Sequence, residues 1–512
     1  MHQPPSINSG LWTRCAVGRH ALAGLLMIAF LSACKTGPDY EPPVIEMPEQ
    51  FDAADDGRKD ESAPPVEADS TDAWWESFED PVLSQYIEEG LVANHDLQIS
   101  LQRIRATRAL RQIESSSFWP EIDARAGYTV DRISANNPRF GEAVREGFFP
   151  RDVEYWDLGF DVNWELDVFG GTRRRVEAAA SRIEAEEFNR RGLMLSVAAE
   201  IARNYLEVLG YRQRSAMLAE LIANEEARTA ILKHKQASGL IPTSRVLQSQ
   251  ARRQQLRALA PGIRAEMRAG EYRLATLIGR RPGETIEGLE DRHALPKATG
   301  QVPVGLPSDL LRRRPDILAA ERRLGAATAD IGVATSEFFP RFYLTGSPNL
   351  QSSDFSDLFT SASTGWLYGP KMSWNIFSAG RNRAQLEAAK ATEEQVFIEY
   401  EATVNGVLEE VESSLVRYAG DAESLGLLAE STAIQLRNFQ IQTLRNEKGI
   451  VDRLEVVDSH SALIDARMVE LDQQVLLLTR LVNLHKALGG GWETGEQIAL
   501  ESIPPDQSVI PQ

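Results

Sequence analysis

The sequence is poor in the residues that build disulfides and metal centres. Its 512 residues include two cysteines, Cys15 and Cys34, and seven histidines that are not closely paired along the chain. No His–Cys spacing indicates zinc, and the chain has neither a phosphate-binding glycine loop nor a nucleophile elbow. These absences argue against an enzyme and indicate no cofactor and no metal site.

Positive charge is also in short supply. The chain has 55 Lys and Arg against 74 Asp and Glu, which gives a formal net charge of −19. Proteins that bind nucleic acid present basic faces to the phosphates, so this acidic chain is not expected to bind nucleic acid. The basic cluster Arg312, Arg313 and Arg314 is expected to have a structural role, which the sequence does not define.

The apolar stretch near the N-terminus, residues 21–31, is too short for a transmembrane helix, which needs ~20 residues. Arg14 and Arg19 precede this stretch, and the sequence Leu-Ser-Ala-Cys at residues 31–34 closes it. This order is typical of a secretory signal. The ending resembles a bacterial lipobox. Residues 1–33 are therefore predicted to be a lipoprotein signal peptide, with Cys34 carrying lipid, including palmitate. The alternative is an ordinary signal with a chance cysteine.

Lys35 follows the cysteine where an aspartate would resemble an inner-membrane retention signal, so the outer membrane is expected. Residues 34–73 are rich in Pro, Asp and Glu and are predicted to be an extended acidic tether. Residues 491–512 are predicted to be a flexible tail.

Proline is absent from residues 151–241 and 371–503, and such gaps permit unusually long helices. Helices are predicted over 172–236, 243–278 and 308–336. Apolar and small residues spaced by three and four indicate a coiled-coil register. They are Leu454, Val457, Ser461, Ile464, Met468, Leu471, Val475, Leu478 and Val482.

The chain also repeats internally, with an offset of roughly 210 to 220 residues. Two tripeptides recur: Phe118-Trp119-Pro120 as Phe338-Phe339-Pro340, and Gly239-Leu240-Ile241 as Gly449-Ile450-Val451. A repeat this long predicts a duplicated domain, with a first copy over 74–300 and a second over 301–490.

Four short segments, 122–131, 155–164, 341–350 and 366–375, alternate between apolar and polar residues. Strands of this kind fit a membrane barrel around water, although a soluble sandwich with one wet face alternates in the same way. The signal and lipobox favour the membrane. Four strands cannot close a barrel, and open edges cannot lie in lipid, so the chain is expected to oligomerise. Three copies would supply twelve strands.

Residues 311–317 read Leu-Arg-Arg-Arg-Pro-Asp-Ile and contain Arg314, Pro315 and Asp316. This segment resembles the signature of the outer-membrane factor family of TolC-like efflux proteins. Residues 37–40, Gly-Pro-Asp-Tyr, resemble its lipoprotein leader, and Phe-Phe-Pro at 338–340 matches the entry to its third strand. The chain is most similar to the NodT-type lipoprotein branch.

The resemblance implies a mainly α fold with a small β membrane part. Duplicated long-helix coiled-coil hairpins would form a periplasmic α-barrel, and four strands per chain would contribute to a trimeric, twelve-stranded outer-membrane β-barrel. The implied function is a passive exit duct in a Gram-negative outer membrane. Its partners would be two further copies, a periplasmic adaptor (membrane fusion) protein and an inner-membrane pump of the resistance-nodulation-division type.

The resemblance also assigns roles to residues near the two glycine turns. Adaptor contact is implied for Gly239, Ser244, Val246, Gly449 and Val456. Glycine at the turns permits φ > 0 and a close approach of backbones. The alternative role for these residues is turn formation and heptad packing.

Glu455 and Asp458 match acidic residues that line the closed periplasmic aperture of the family, although Glu455 replaces an aspartate. Their i, i+3 spacing places both on one helix face. The alternative is a solvated face paired with Arg453 or Lys448.

Two other functions fit parts of the sequence. A type I protein-secretion channel would share the whole architecture. A non-conducting coiled-coil envelope lipoprotein would share the lipobox and the heptads, but it has no need for four alternating strands with aromatic ends.

Overall fold

The computed structural model describes residues 35–52, 73–290, 292, 294–297 and 307–501. The predicted signal peptide, Cys34, much of the predicted tether and the end of the tail lie outside the described residues. The chain divides into two compact units. Of the described residues, unit 1 contains 35–43, Arg105–Glu184 and Glu321–Ile398, and unit 2 contains the rest.

Helices make up most of the described chain. They are α1 (Pro81–Ala93), α2 (His95–Ser116), α3 (Gly141–Arg145), α4 (Gly171–Ala237), α5 (Thr243–Leu277), α6 (Pro307–Arg313), α7 (Pro315–Ser336), α8 (Arg381–Glu447), α9 (Arg453–Ala487) and α10 (Trp492–Glu501). Short 3₁₀ turns occur at Trp74–Phe78, Phe355–Asp357 and Ser361–Ser363. None of the helices in the described chain is long and apolar enough to cross a membrane.

The two halves of the chain repeat the same helical pattern. Helices α4 and α8 each contain 67 residues, and the helices that follow them, α5 and α9, each contain 35. Helices α2 and α7, which precede the strands, each contain 22. A duplicated domain would produce such matched lengths, and the domain boundaries stay a prediction.

The four strands form one sheet in unit 1. They are β1 (Glu121–Arg132), β2 (Asp152–Leu166), β3 (Arg341–Ser352) and β4 (Thr364–Ser373), and they pair antiparallel in the order β1-β2-β3-β4. Each strand extends close to its predicted segment. The mainly α fold with four strands is therefore confirmed.

The apolar core of unit 2 lies where the helices pack. Trp75, Tyr86 and Tyr205 are among its largest buried side chains, and α9 contributes Leu478 and Val482 to it. The heptad stripe of α9 faces inward as predicted, since Val457, Ile464 and Leu471 are also buried. Burial of one stripe along a polar helix is the main force that holds such helices together.

Helix α1 shows how local chemistry sets an element boundary. Asp80 caps it by accepting hydrogen bonds from the backbone of Val82 and Leu83, and Pro81 occupies the first helical position. A proline at that position loses no hydrogen bond, since its missing N–H would be unpaired there.

Three sequence predictions need correction. The predicted helix over 308–336 is broken at Arg314, because Pro315 disfavours helical backbone at the residue before it. The predicted flexible tail over 491–512 begins with a helix, α10. Trp492 of α10 donates to the Arg313 carbonyl at 3.1 Å and receives the Arg191 guanidinium over its ring at 4.7 Å, so its indole is held on unit 2.

The third correction concerns the tether. Its described part, residues 35–52, is extended as expected, but it packs against the fold. Phe51 is 2% exposed and joins a cluster with Val404 and Val407 of unit 2. An apolar side chain of the Pro-rich segment is thus part of a buried cluster.

Candidate functional site

The sheet has one apolar and one polar face across all four strands. In the β1–β2 register Ile122 is opposite Val162, and in the β2–β3 register Trp164 is opposite Leu344. Since neighbouring residues along a strand point to opposite faces, the even-numbered residues of every strand share the apolar face. Much of this face is exposed to solvent in the single chain, as at Tyr368, which is 72% exposed.

The opposite face carries a polar network between strands. Arg125 of β1 donates to the Asp161 carboxylate at 2.6 Å and to the Ser347 hydroxyl at 3.2 Å. Ser347 in turn donates to Asp161 at 2.8 Å, and Asp157 lies 3.4 Å from Arg125. The sequence predicts that this face is polar, but only the register identifies these partners. Such a face suits the water-filled side of a membrane sheet.

The two glycine turns have the same backbone geometry. Gly239 has φ +71° and Gly449 has φ +68°, as predicted. Each glycine ends its helix in a Schellman motif. In this motif the Leu240 N–H donates to Lys235 O at 2.9 Å, and the Ile450 N–H donates to Arg445 O at 2.9 Å. Apart from the glycine and its chain neighbours, no atom of the described chain lies within 4 Å of a Cβ built on Gly239 or Gly449, so the close approach that glycine permits does not occur within the described chain.

The residues beside the turns differ in accessibility. Ser244 is exposed and Val456 is half-buried, whereas Val246 is only 5% exposed. The Val246 side chain therefore packs within the chain. Leu240 and Ile450 are not among the predicted contact residues, yet they are 73% and 61% exposed at the very ends of the hairpins. Their signal was present in the repeated Gly-aliphatic-aliphatic tripeptide.

The acidic pair near the second turn lies on the exposed side of α9. Glu455 and Asp458 are both exposed. The Asp458 carboxylate lies 2.9 Å from Nε of Arg228 on α4, so its partner is neither Arg453 nor Lys448, the residues considered from the sequence. Arg228 also lies 3.5 Å from Glu225. The ion pair of Arg228 with Asp458 thus joins the first hairpin to the second.

The arginine of the arginine-proline-aspartate signature connects the start of α7, the end of α9 and the middle of α8. Arg314 is 7% exposed and donates to the carbonyl of Ala487, at the end of α9, at 2.7 Å. The same guanidinium donates to Asp316 at 2.7 Å and to Glu410 of α8 at 2.8 Å. The C-terminal carbonyls of a helix lack partners within the helix, and a cation there is favourable. This contact supplies the structural role that the sequence left undefined for Arg314.

The described residues contain no group of three or more His, Cys, Asp or Glu side chains that could hold a metal ion.

Comparison with known proteins places the chain in a family. The model of the outer membrane efflux protein family matches residues 86–280 and 306–490. The chain belongs to the outer membrane efflux protein family. It is 27% identical over 465 residues to nodulation protein T of Rhizobium leguminosarum bv. trifolii, covering 90% of this chain and 95% of that protein.

Further family members agree with this assignment. The solvent efflux pump outer membrane protein SrpC of Pseudomonas putida is 29% identical over 481 residues, covering 92% of this chain and 98% of that protein. The solved outer-membrane channel OprN has a TM-score of 0.79 and 33% identity, covering 90% of this chain and all of OprN. The predicted family, the TolC-like fold and the outer-membrane location are confirmed.

Proposed function

We propose that this chain is the exit duct of a tripartite efflux system, in which three copies conduct compounds that a pump and an adaptor deliver. The open amphipathic sheet supports the proposal most directly. The outer edges of β1 and β4 have no neighbouring strand in the described chain, and unpaired backbone groups cannot lie in hydrocarbon. Further copies would pair both edges and close the sheet.

The cargo is proposed to be small molecules. SrpC matches this chain over nearly its whole length, and its name describes the outer membrane protein of a solvent efflux pump. We therefore propose a resistance-nodulation-division pump as the inner-membrane partner, with a protein-secretion role as the alternative outcome. The duct itself would perform no chemistry. Cys34 would carry the lipid that anchors each copy in the outer membrane.

The adaptor contact is proposed for the hairpin ends, at Gly239, Ser244, Gly449 and Val456. An exposed aliphatic residue stands at each end. These residues, Leu240 and Ile450, are 73% and 61% exposed, so most of each side chain is not covered by the helix that precedes it. The aliphatic side chains are thus available to a partner, whereas the buried Val246 would act through packing.

The experiment that tests the duct is reconstitution of the purified full chain into planar bilayers, together with its mass in detergent. We expect trimers and discrete conductance steps. A monomer in detergent that conducts no ions would contradict the proposal and would favour the envelope scaffold.

The aperture is proposed to be lined by Glu455 and Asp458. By threefold repetition these carboxylates would crowd near one axis and bind cations. The double variant Glu455→Ala/Asp458→Ala should raise resting conductance and weaken block by divalent cations in single-channel recordings. Unchanged conductance and block would contradict the assignment.

Two matched variants separate the carboxylates from the bond between hairpins. Asp472→Ala breaks a second α4–α9 ion pair, that of Asp472 with Arg214 at 2.8 Å, and should leave cation block unchanged. Arg228→Ala removes the partner of Asp458 but keeps the carboxylate, so cation block should persist. Loss of block in Asp472→Ala would show that helix pairing, and not the acidic pair, controls it.

A further inference from the structure

One buried arginine makes several hydrogen bonds to the segment that follows the predicted lipidation site. Arg174, near the start of α4, is 0% exposed. Its Nε donates to the carbonyl of Thr36 at 2.9 Å, and its Nη2 donates to the carbonyl of Gly37 at 3.1 Å and to Asp39 at 2.9 Å. One guanidinium thus binds three of the first residues after Cys34, all within unit 1.

The other side of the segment is held as tightly. Thr36 donates through its N–H and its hydroxyl to the carbonyl of Phe169, at 3.2 and 2.9 Å. Lys35 lies 2.7 Å from Glu177, which also accepts from Arg174 at 3.0 Å. Every donor of the arginine that faces the segment is therefore used, and the segment touches the chain on both sides.

Two glycines make this fit possible. Gly37 has φ +82°, and a Cβ there would stand 2.4 Å from Cα of Gly332 in α7. A Cβ on Gly332 would stand 2.7 Å from the Arg174 side chain. Real Cβ atoms do not approach so closely, so a side chain at either position would displace the segment or the arginine.

We propose that Arg174 is a positioning residue that clamps the lipid-bearing N-terminus at the junction of β2 and α4. The clamp is defined as Arg174 with residues 35–39. It would hold the lipid-bearing N-terminus at one place on unit 1, which a slack tether would not do. Consecutive Cα atoms are about 3.8 Å apart, so a lipid on residue 34 is attached directly beside the clamp. Phe169 follows closely after the end of β2, so the lipid and the apolar face of the sheet would enter the membrane together.

This inference rests on the proposed lipidation of Cys34, and the experiment separates the two. Hydrogen exchange of the full chain in detergent is followed by mass spectrometry in a peptide that contains the Thr36 amide, and the mass of the N-terminal peptide reports lipid. Arg174→Ala should speed exchange of Thr36 by at least about tenfold, and Gly37→Ala should do the same without altering α4. Arg174→Lys should restore part of the protection, because a lysine can still reach one acceptor.

Arg175→Ala is the matched control, because Arg175 is the next residue of α4, donates to the Thr172 hydroxyl and lies 3.7 Å from the Glu114 carboxylate, away from the segment. It should leave Thr36 exchange unchanged. Thr36 exchange in Arg174→Ala that equals that of the unchanged chain, or that is matched by Arg175→Ala, would overturn the clamp. Absence of lipid on Cys34 with the expected exchange pattern would overturn the anchor while keeping the clamp.

A second measurement tests the positioning of the N-terminus in the membrane. A nitroxide placed by Glu41→Cys in vesicle-reconstituted protein should give an immobile spectrum, and Arg174→Ala should add a mobile component. Equal mobility with and without Arg174 would contradict the proposal.

Discussion

Replacing His485 with phenylalanine should make the protein less sensitive to acid. His485 is 6% exposed near the end of α9, and its ring stacks on that of Trp74 with 5.5 Å between centroids. Neither His485 Nδ1 nor Trp74 Nε1 has a hydrogen-bond partner among the described residues. Burial therefore lowers the pKa of His485 from 6.5 to about 4, since the protonated ring is poorly solvated there.

The folded and unfolded chains protonate His485 at different pH values, and this difference sets the direction of the effect. The unfolded chain protonates this imidazole as the pH falls below 6.5, whereas the folded chain keeps it neutral down to about pH 4. The stability that the neutral ring provides is fully present above pH 6.5 and is lost as the pH falls toward 4. The interval between the two pKa values corresponds to a loss of roughly 3 kcal/mol. Phenylalanine keeps a flat ring on Trp74 but takes up no proton.

The assay is thermal unfolding of the detergent-solubilised full chain, followed by helical circular dichroism at neutral pH and near pH 4.5. The unchanged chain should lose more of its melting temperature on acidification than His485→Phe does. His234→Gln removes an exposed histidine and should behave like the unchanged chain. If His485→Phe and the unchanged chain lose the same amount, burial of a neutral imidazole does not contribute to acid sensitivity.

Three further substitutions test other parts of the structure. Val162→Arg, on the apolar face of the sheet, should destabilise the membrane-inserted protein by about 2–4 kcal/mol in urea unfolding from vesicles, while Asn163→Arg on the polar face should have little effect; equal effects would mean that the two faces are not in different solvents. Gly449→Ala should cost about 1–2 kcal/mol in thermal unfolding because of its positive φ, whereas Gly406→Ala within α8 should be neutral or stabilising, and the reverse order would refute the turn geometry. Arg314→Ala should cost on the order of 2 kcal/mol, seen as faster hydrogen exchange at the end of α9, and unchanged exchange there would show that this helix end does not depend on Arg314.

The sequence predicts the repeating parts of this fold well because their physics is local. Alternation along a strand and spacing by three and four along a helix report burial directly, so β1 and the heptad stripe of α9 appear where they are predicted. The positive φ at Gly239 is predicted for the same reason, since the glycine itself permits that backbone.

The contacts that join distant segments are not predictable in this way. The pairing of Arg228 with Asp458 depends on how α4 and α9 pack, and no periodicity indicates it. Arg174 lies in an ordinary basic run of the sequence, yet it is fully buried because residues 36–39 supply its acceptors. The helix α10 is missed because the contacts of its Trp492 are with Arg313 and Arg191, which lie far away in the sequence.

The two hairpin ends have similar backbone geometry but different capping residues and charges. Helix α5 begins at a capping position held by Pro242, which offers no side-chain bond, whereas α9 begins at Asp452, which caps Leu454 and pairs with Lys235. A partner that recognises only the curve of the main chain would find both ends interchangeable. A partner that senses charge could tell them apart, so one chain can present two distinguishable binding surfaces on similar turns.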